Sequence, residues 1–323
     1  MHREPYINQT ILVTGGAGFI GSHLVDRLLT DGAKQVIIVD NLFLGSEENI
    51  VSAVAQGALF YNEDIEYKES LEYIFNQHDI DVVFNLATKA LNYSFINPAN
   101  AFTTNVAVVI NLLELQRKGK FQSLCHFSSS EVYGTAVYEP MDEEHPKAPT
   151  TTYAGGKVAA DMAVESYVNM FDVDAFIVRP FNNYGPRQNY KGLLAGLIPV
   201  TAWRINNDIA PEIHGSGDQI RDFIYVSDTV DAVVKLFNVM PKGESVNIST
   251  DNCYSVKVLL SKIITYYGYI GAVLKKEARA ADVLTHSASN TKMNKLICQE
   301  LTPFDDGLAA TLDWYQTKFK DIK

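Results

Sequence analysis

The chain has 323 residues, 47% hydrophobic and 20% charged, a globular composition with enough apolar residues to fill a core. That length suits one large α/β domain, alone or with a smaller lobe. A formal net charge of −11 without a basic cluster argues against nucleic acid as a partner. No apolar run reaches the ~20 residues needed to cross a bilayer, and the N-terminal stretch carries no apolar leader. No membrane partner and a cytoplasmic location are therefore expected. Cys125, Cys253 and Cys298 are spaced for neither a zinc site nor a disulfide framework. No metal is expected, and the odd count fits a reducing compartment.

Apolar and β-branched runs predict strands at 11–13, 36–39, 59–61, 82–86, 121–128 and 175–179. Between them, residues 22–30, 69–77, 99–117 and 153–170 read as helices. Strands alternating with helices imply right-handed crossovers, and hence an α/β fold with a doubly wound parallel sheet. After Pro180 the texture changes to turn-rich sequence and shorter elements. Residues 1–180 are therefore expected to form the first domain. Residues 181–323 are expected to form mainly a smaller C-terminal α/β lobe, with some segments returning to the sheet and the ligand held between the two.

Gly15, Gly18 and Gly21 form G-x-x-G-x-x-G directly after the first strand, where a helix opens. Missing β-carbons let backbone approach a pyrophosphate, and the helix N-terminus favours its charge. Asp40, ending the second strand, is placed to accept hydrogen bonds from ribose hydroxyls and to repel a 2′-phosphate. NAD is therefore expected rather than NADP. Phe19, Ile20, Asn41, Leu86 and Ala87 complete the expected cofactor set, with Asp64 (facing the adenine amine or solvent) and Ile65.

Tyr153 and Lys157 share a helix face at i, i+4. That spacing arises about once by chance in such a chain, so its position at a helix start after a strand and a polar loop carries the weight. A lysine there is expected to lower the tyrosine pKa by roughly 1–3 units from ~10, making it a base toward a hydroxyl.

TGGAGFIGSHL (14–24), SSSEVYG (128–134), YAGGK (153–157), RPFNNYGPRQ (179–188) and RDFIYVSD (221–228) together resemble the NAD-dependent nucleotide-sugar epimerase/dehydratase family of extended short-chain dehydrogenases/reductases. The resemblance implies a Rossmann domain with a substrate lobe and a nucleotide-diphosphosugar substrate. It makes Tyr153 and Lys157, both also cofactor contacts, the catalytic pair, and gives Ser129 a hydrogen bond to the reacting hydroxyl. Asn182, Asn183 and Arg187 fall in the segment that meets sugar and phosphates. Arg221 and Arg279 match arginines that grip a pyrophosphate, although Ala280 stands where the family commonly has proline. Helices 99–117 and 153–170, through positions such as Val106, Val109, Ala159 and Ala163, correspond to those forming a four-helix homodimer interface in relatives.

Within the family, Glu131 favours a 4,6-dehydratase, which needs a base for the C5 proton and an acid for the departing C6 hydroxyl. Ser130 resembles the guanosine-diphosphomannose type, where the deoxythymidine-diphosphoglucose type has Asp; either Ser130 or Glu131 would serve as the acid. A uronate decarboxylase and a 4-epimerase stay open, though Ala154-Gly155-Gly156 and Val158 depart from the decarboxylase pattern. Lys89, in an unusual Ala87-Thr88-Lys89-Ala90 loop, faces either the sugar-diphosphate or solvent. The general texture is similar to dehydratases acting on N-acetylglucosamine nucleotides in legionaminic-type acid synthesis.

Overall fold

Successive strand residues face opposite sides of a sheet, so a strand covered on both sides is apolar throughout. Strand 10–14 (TILVT) and strand 35–39 (QVIIV) have this character. The computed structural model describes residues 3–278 and 283–320. Its strands are β1 (Thr10–Thr14), β2 (Gln35–Val39), β3 (Leu59–Tyr61), β4 (Val82–Asn85), β5 (Ser123–Phe127), β6 (Asp174–Pro180) and β7 (Asn182–Tyr184). They continue as β8 (Glu212–His214), β9 (Ile220–Tyr225), β10 (Ser245–Ile248), β11 (Cys253–Ser255), β12 (Leu274–Lys276) and β13 (Thr285–His286). The helices are α1 (Phe19–Thr30), α2 (Val51–Ala55), α3 (Lys68–Gln77), α4 (Pro98–Arg117), α5 (Thr152–Phe171), α6 (Leu197–Asn206), α7 (Val226–Val239), α8 (Val256–Tyr267), α9 (Thr291–Leu296) and α10 (Phe304–Lys320).

Seven strands form one sheet in the order β10-β6-β5-β4-β1-β2-β3, every pairing parallel. This is the Rossmann-type, doubly wound sheet expected from the alternation. One face buries Ile11, Val13, Ile38, Phe84 and Val178 against α1 and α7; the other buries Leu12, Ile37, Val83, Leu124 and Ile177 against α3, α4 and α5. Helices begin slightly earlier than the apolar pattern implies because caps extend them. Asn97 accepts from Asn100 N ahead of Pro98, and Thr151 accepts from Ala154 N.

A separate apolar cluster unites Tyr184, Ile198, Phe223, Leu259, Phe304, Leu312 and Tyr315. Tyr254 stacks on Phe304 at 4.1 Å between ring centres, and Tyr267 donates to the Leu312 carbonyl. Here β9 pairs with β7, β11 and β13. The strand order of the large sheet reverses beside β1, and there the C-terminal strand ends open into a crevice, the usual ligand position in such sheets.

Candidate active site

Between the large sheet and the second cluster lies a cavity of about 880 Å³. Its floor begins where β1 ends. Gly15 turns the chain at φ +67°, and a Cβ there would stand 2.8 Å from the Leu86 carbonyl carbon and 2.9 Å from the Ala87 nitrogen. Gly18 caps α1, and Gly15, Gly18, Phe19, Ile20 and Gly21 all line the cavity. Free N–H groups at that helix start suit a pyrophosphate. Asp40 is buried in the cavity wall, and its oxygens accept from Ala17 N at 3.0 Å and Leu42 N at 2.8 Å. Burial raises its pKa while those donors oppose the rise. A carboxylate has about four acceptor sites, and with Gly18 N also directed at it, about one remains for a ligand hydroxyl. Asn41 donates to Asp64 at 2.7 Å, and both line the cavity with Ile65, Leu86 and Ala87. A cradle only glycine permits, facing a buried carboxylate, fits a dinucleotide.

Ser129, Glu131, Tyr153 and Lys157 meet in the middle of the cavity. The Ser129 hydroxyl caps the short turn that carries Glu131, accepting from Glu131 N at 3.2 Å. Burial pushes the Tyr153 phenol up to about 12; hydrogen bonds from Ser129 and Thr88 oppose this, while the Glu131 charge adds to it. The expected lowering by Lys157 is not found in this state. The Lys157 ammonium instead donates to the Phe127 carbonyl at 2.8 Å, and burial drops its pKa to about 8 against the pull of Asp161.

Behind this group runs a buried polar chain across the sheet. Thr14 donates to Asn85 at 2.7 Å, Asn85 contacts His126 at 3.1 Å, and His126 stands 3.8 Å from Asp161. Asp161 pairs with Arg179 at 3.0 Å, and Arg179 donates to Tyr133, whose hydroxyl donates to Asn247 at 2.7 Å. One turn beyond Lys157, Asp161 thus faces two buried cations. Gly156 has a packing cause: a Cβ would stand 2.9 Å from the Phe102 carbonyl, where α5 crosses α4. That glycine therefore reports helix contact and carries no weight between dehydratase and decarboxylase.

The remaining expected residues divide. Asn182, Asn183 and Arg221 line the cavity. Lys89 does too; it is buried, with its ammonium 4.2 Å from the Phe43 ring centre, which rules out the solvated alternative. Arg187 is not on the wall. Its backbone adopts φ +67°, and its guanidinium pairs with Asp26 of α1 at 2.7 Å. Ser130 is buried and also off the wall, beside His286, because alternate residues of the turn point opposite ways. Arg279 lies outside the described residues. Val109, expected at a helix interface, packs into the core beneath its own sheet. The sequence reading missed Thr88, Gln188, Arg204, Glu212 and His214, which line the cavity. Arg204 and Glu212 pair at 3.0 Å, with no local motif to announce it.

Together, the sheet, the glycine cradle and the Tyr-Lys pair define an extended short-chain dehydrogenase/reductase. The sequence profile of the GDP-mannose 4,6 dehydratase family matches residues 12–310, and the chain belongs to that family. It is 35% identical over 306 residues to a putative UDP-glucose 4-epimerase of Methanocaldococcus jannaschii, covering 94% of this chain and 97% of the relative. Among solved structures it resembles UDP-glucose 4-epimerase of Thermotoga maritima with UDP-glucose, at TM-score 0.90 and 32% identity over 96% of this chain and 99% of that one. It equally resembles the dTDP-glucose 4,6-dehydratase DesIV of Streptomyces venezuelae with NAD bound, at TM-score 0.91 and 26% identity over 96% and 98%.

Proposed function

We propose that the chain is an NAD-dependent nucleotide-diphosphosugar 4,6-dehydratase. The observation that carries this reading is Glu131, which shares the cavity with Ser129 and Tyr153 closely enough for its charge to act on the phenol. An epimerase has no need of that carboxylate; an elimination across C5 and C6 does. NAD, when bound, supplies the hydride acceptor and donor, and a cationic ring that favours the phenolate. The glycine cradle would hold its pyrophosphate, and Asp40 its adenosine ribose. Tyr153 takes the C4 hydroxyl proton, with Ser129 holding that hydroxyl and Lys157 supplying positive charge below. Glu131 takes the C5 proton and passes it to the departing C6 hydroxyl, which leaves as water. The proton held by Tyr153 balances the one restored at C5 once C6 is reduced. Asn182, Asn183, Arg221 and Lys89 bind the sugar-diphosphate. Residues 1–180 form the dinucleotide domain and 181–323 mainly the substrate lobe.

The test is mass spectrometry after incubating the purified protein with uridine, guanosine, thymidine and cytidine diphosphosugars, N-acetylglucosamine conjugates included. Loss of one water without net NADH is expected. Epimerisation is the second reading, favoured by the epimerase names among its relatives; unchanged mass with an altered sugar NMR spectrum would establish it. We also infer a homodimer. On α4 and α5, Phe102 and Met162 leave 39% and 56% of their surface exposed, an apolar face that needs a cover. Light scattering at micromolar concentration should give twice the chain mass. Among the described residues no helix is long and apolar enough to cross a membrane. The three cysteines are free thiols, in keeping with the cytoplasm.

A further inference from the structure

Thr88 follows β4 and lines the cavity beside Tyr153. Its Oγ1 donates toward Asn105 Oδ1 at 2.9 Å and the Lys89 carbonyl at 3.1 Å. Asn105 is buried on α4, and the same Oδ1 also accepts from Lys89 N at 2.9 Å. On its other side Thr88 shares the cavity wall with Tyr153, near enough for its hydroxyl, like that of Ser129, to favour the ionised phenol. Two hydroxyls therefore flank the side chain that gains and loses the proton.

A hydroxyl has one proton and two lone pairs. While Tyr153 is neutral, Thr88 directs its proton to Asn105, leaving its lone pairs open toward the phenol. Once the phenol is ionised, Thr88 can turn that proton onto the phenolate, and Asn105 Oδ1 keeps its bond from Lys89 N. No buried acceptor is orphaned in either arrangement, so the rotation is cheap. We propose that Thr88 is a positioning residue for Tyr153, a rotor that with Ser129 stabilises the ionised phenol. This rests on Tyr153 being the proton carrier of the reading above. A threonine serving only to hold its loop would need no more than the bond to the Lys89 carbonyl.

The test uses the NAD-loaded protein as wild type, Thr88→Val, Thr88→Ser and Tyr153→Phe. The tyrosinate absorbance of each protein, minus that of Tyr153→Phe, follows the ionisation of Tyr153. Thr88→Val should raise its midpoint by about one pH unit, since a hydrogen bond to a charged group is lost, and Thr88→Ser should restore it. With the converted sugar, kcat near neutral pH should fall roughly ten-fold in Thr88→Val with KM within about two-fold, recovering in Thr88→Ser. Valine keeps the shape and leaves Asn105 bonded; should it still unfold the protein, Thr88→Ala compared with Thr88→Ser gives the same contrast. Coincident titrations of Thr88→Val and wild type, or a KM rise at constant kcat, overturn the proposal. If the wild type converts no nucleotide sugar, the functional reading falls, while the titration still decides the role of Thr88.

Discussion

At the dinucleotide end of the cavity, the contacts come from short segments at successive strand ends: 15–21 after β1, Asp40 after β2, Asp64 after β3 and 86–89 after β4. At the lobe end, Asn183, Arg204, Glu212, His214 and Arg221 come from separate short elements gathered around a largely aromatic cluster. The first end is held by backbone, because each contact follows closely on a strand paired in the sheet, and β1, β2 and β4 are buried on both faces. The second is held by side-chain pairs such as Arg204 with Glu212, so its shape depends on what those residues are. One framework can therefore keep a constant cofactor while the lobe end changes the substrate. Ser129, Glu131 and Tyr153 sit at the junction.

The sharpest way to break this division is at the junction itself. Glu131→Gln should cut turnover by roughly 10²–10⁴ while leaving the C4 oxidation step, read as transient absorbance of reduced cofactor in stopped flow. Loss of both steps together would mean that Glu131 only supports the loop. Next comes the rigid half. Asp161→Asn leaves Arg179 and Lys157 buried without their anion, so destabilisation of about 3–5 kcal/mol is expected from denaturant midpoints.

A third test concerns the seam beside Ser130. His286 is buried, and desolvation lowers its pKa to about 3 from an ordinary value near 6.5. Between those values the unfolded chain binds a proton that the folded one does not, so stability falls as pH drops below about 6.5. His286→Leu should lose that slope, narrowing the gap to wild type at pH 5 by about 2 kcal/mol relative to pH 7, read from urea midpoints. The smallest effect is predicted for Arg187→Ala: less than about 1 kcal/mol of stability, because the Asp26 pair is partly exposed, and an unchanged KM. A several-fold rise in KM would return Arg187 to the substrate site.

The same contrast explains what could be read without coordinates. Six of the seven large-sheet strands hold short apolar runs, and the glycine spacing states a backbone requirement, so both were legible from neighbouring residues alone; β10 (SVNI), with a polar residue at every other position, was not. Tyr153 and Lys157 were legible because a helix fixes which residues share a face. Arg187 and Ser130 stand off the cavity wall because side-chain direction in a turn follows a few dihedral angles that residue type does not dictate. Arg204, Glu212 and Thr88 went unread for another reason: their partners or neighbours lie on other segments, and no local period records such a meeting. The pKa of Tyr153 went the wrong way because spacing reports a neighbouring charge, whereas burial is a property of the whole fold.

The pairing of β10 with β6 has a consequence for anyone dividing this chain. The polypeptide leaves the large sheet at Pro180, builds part of the lobe through β7, α6, β8 and β9, returns at Ser245 to complete the sheet's far margin, and then goes back to the lobe with β11, α8 and α10. α7 returns with it, laying Val230, Val233 and Phe237 over the face that holds Val13 and Phe84. A fragment stopped at residue 180 would therefore present β6 as a raw strand margin beside an uncovered oily face, an invitation to stick to other copies. Expression trials aimed at the dinucleotide half alone should yield inclusion bodies. A functional transplant of the lobe would have to exchange two stretches, one before β10 and one after it, instead of swapping one tail for another.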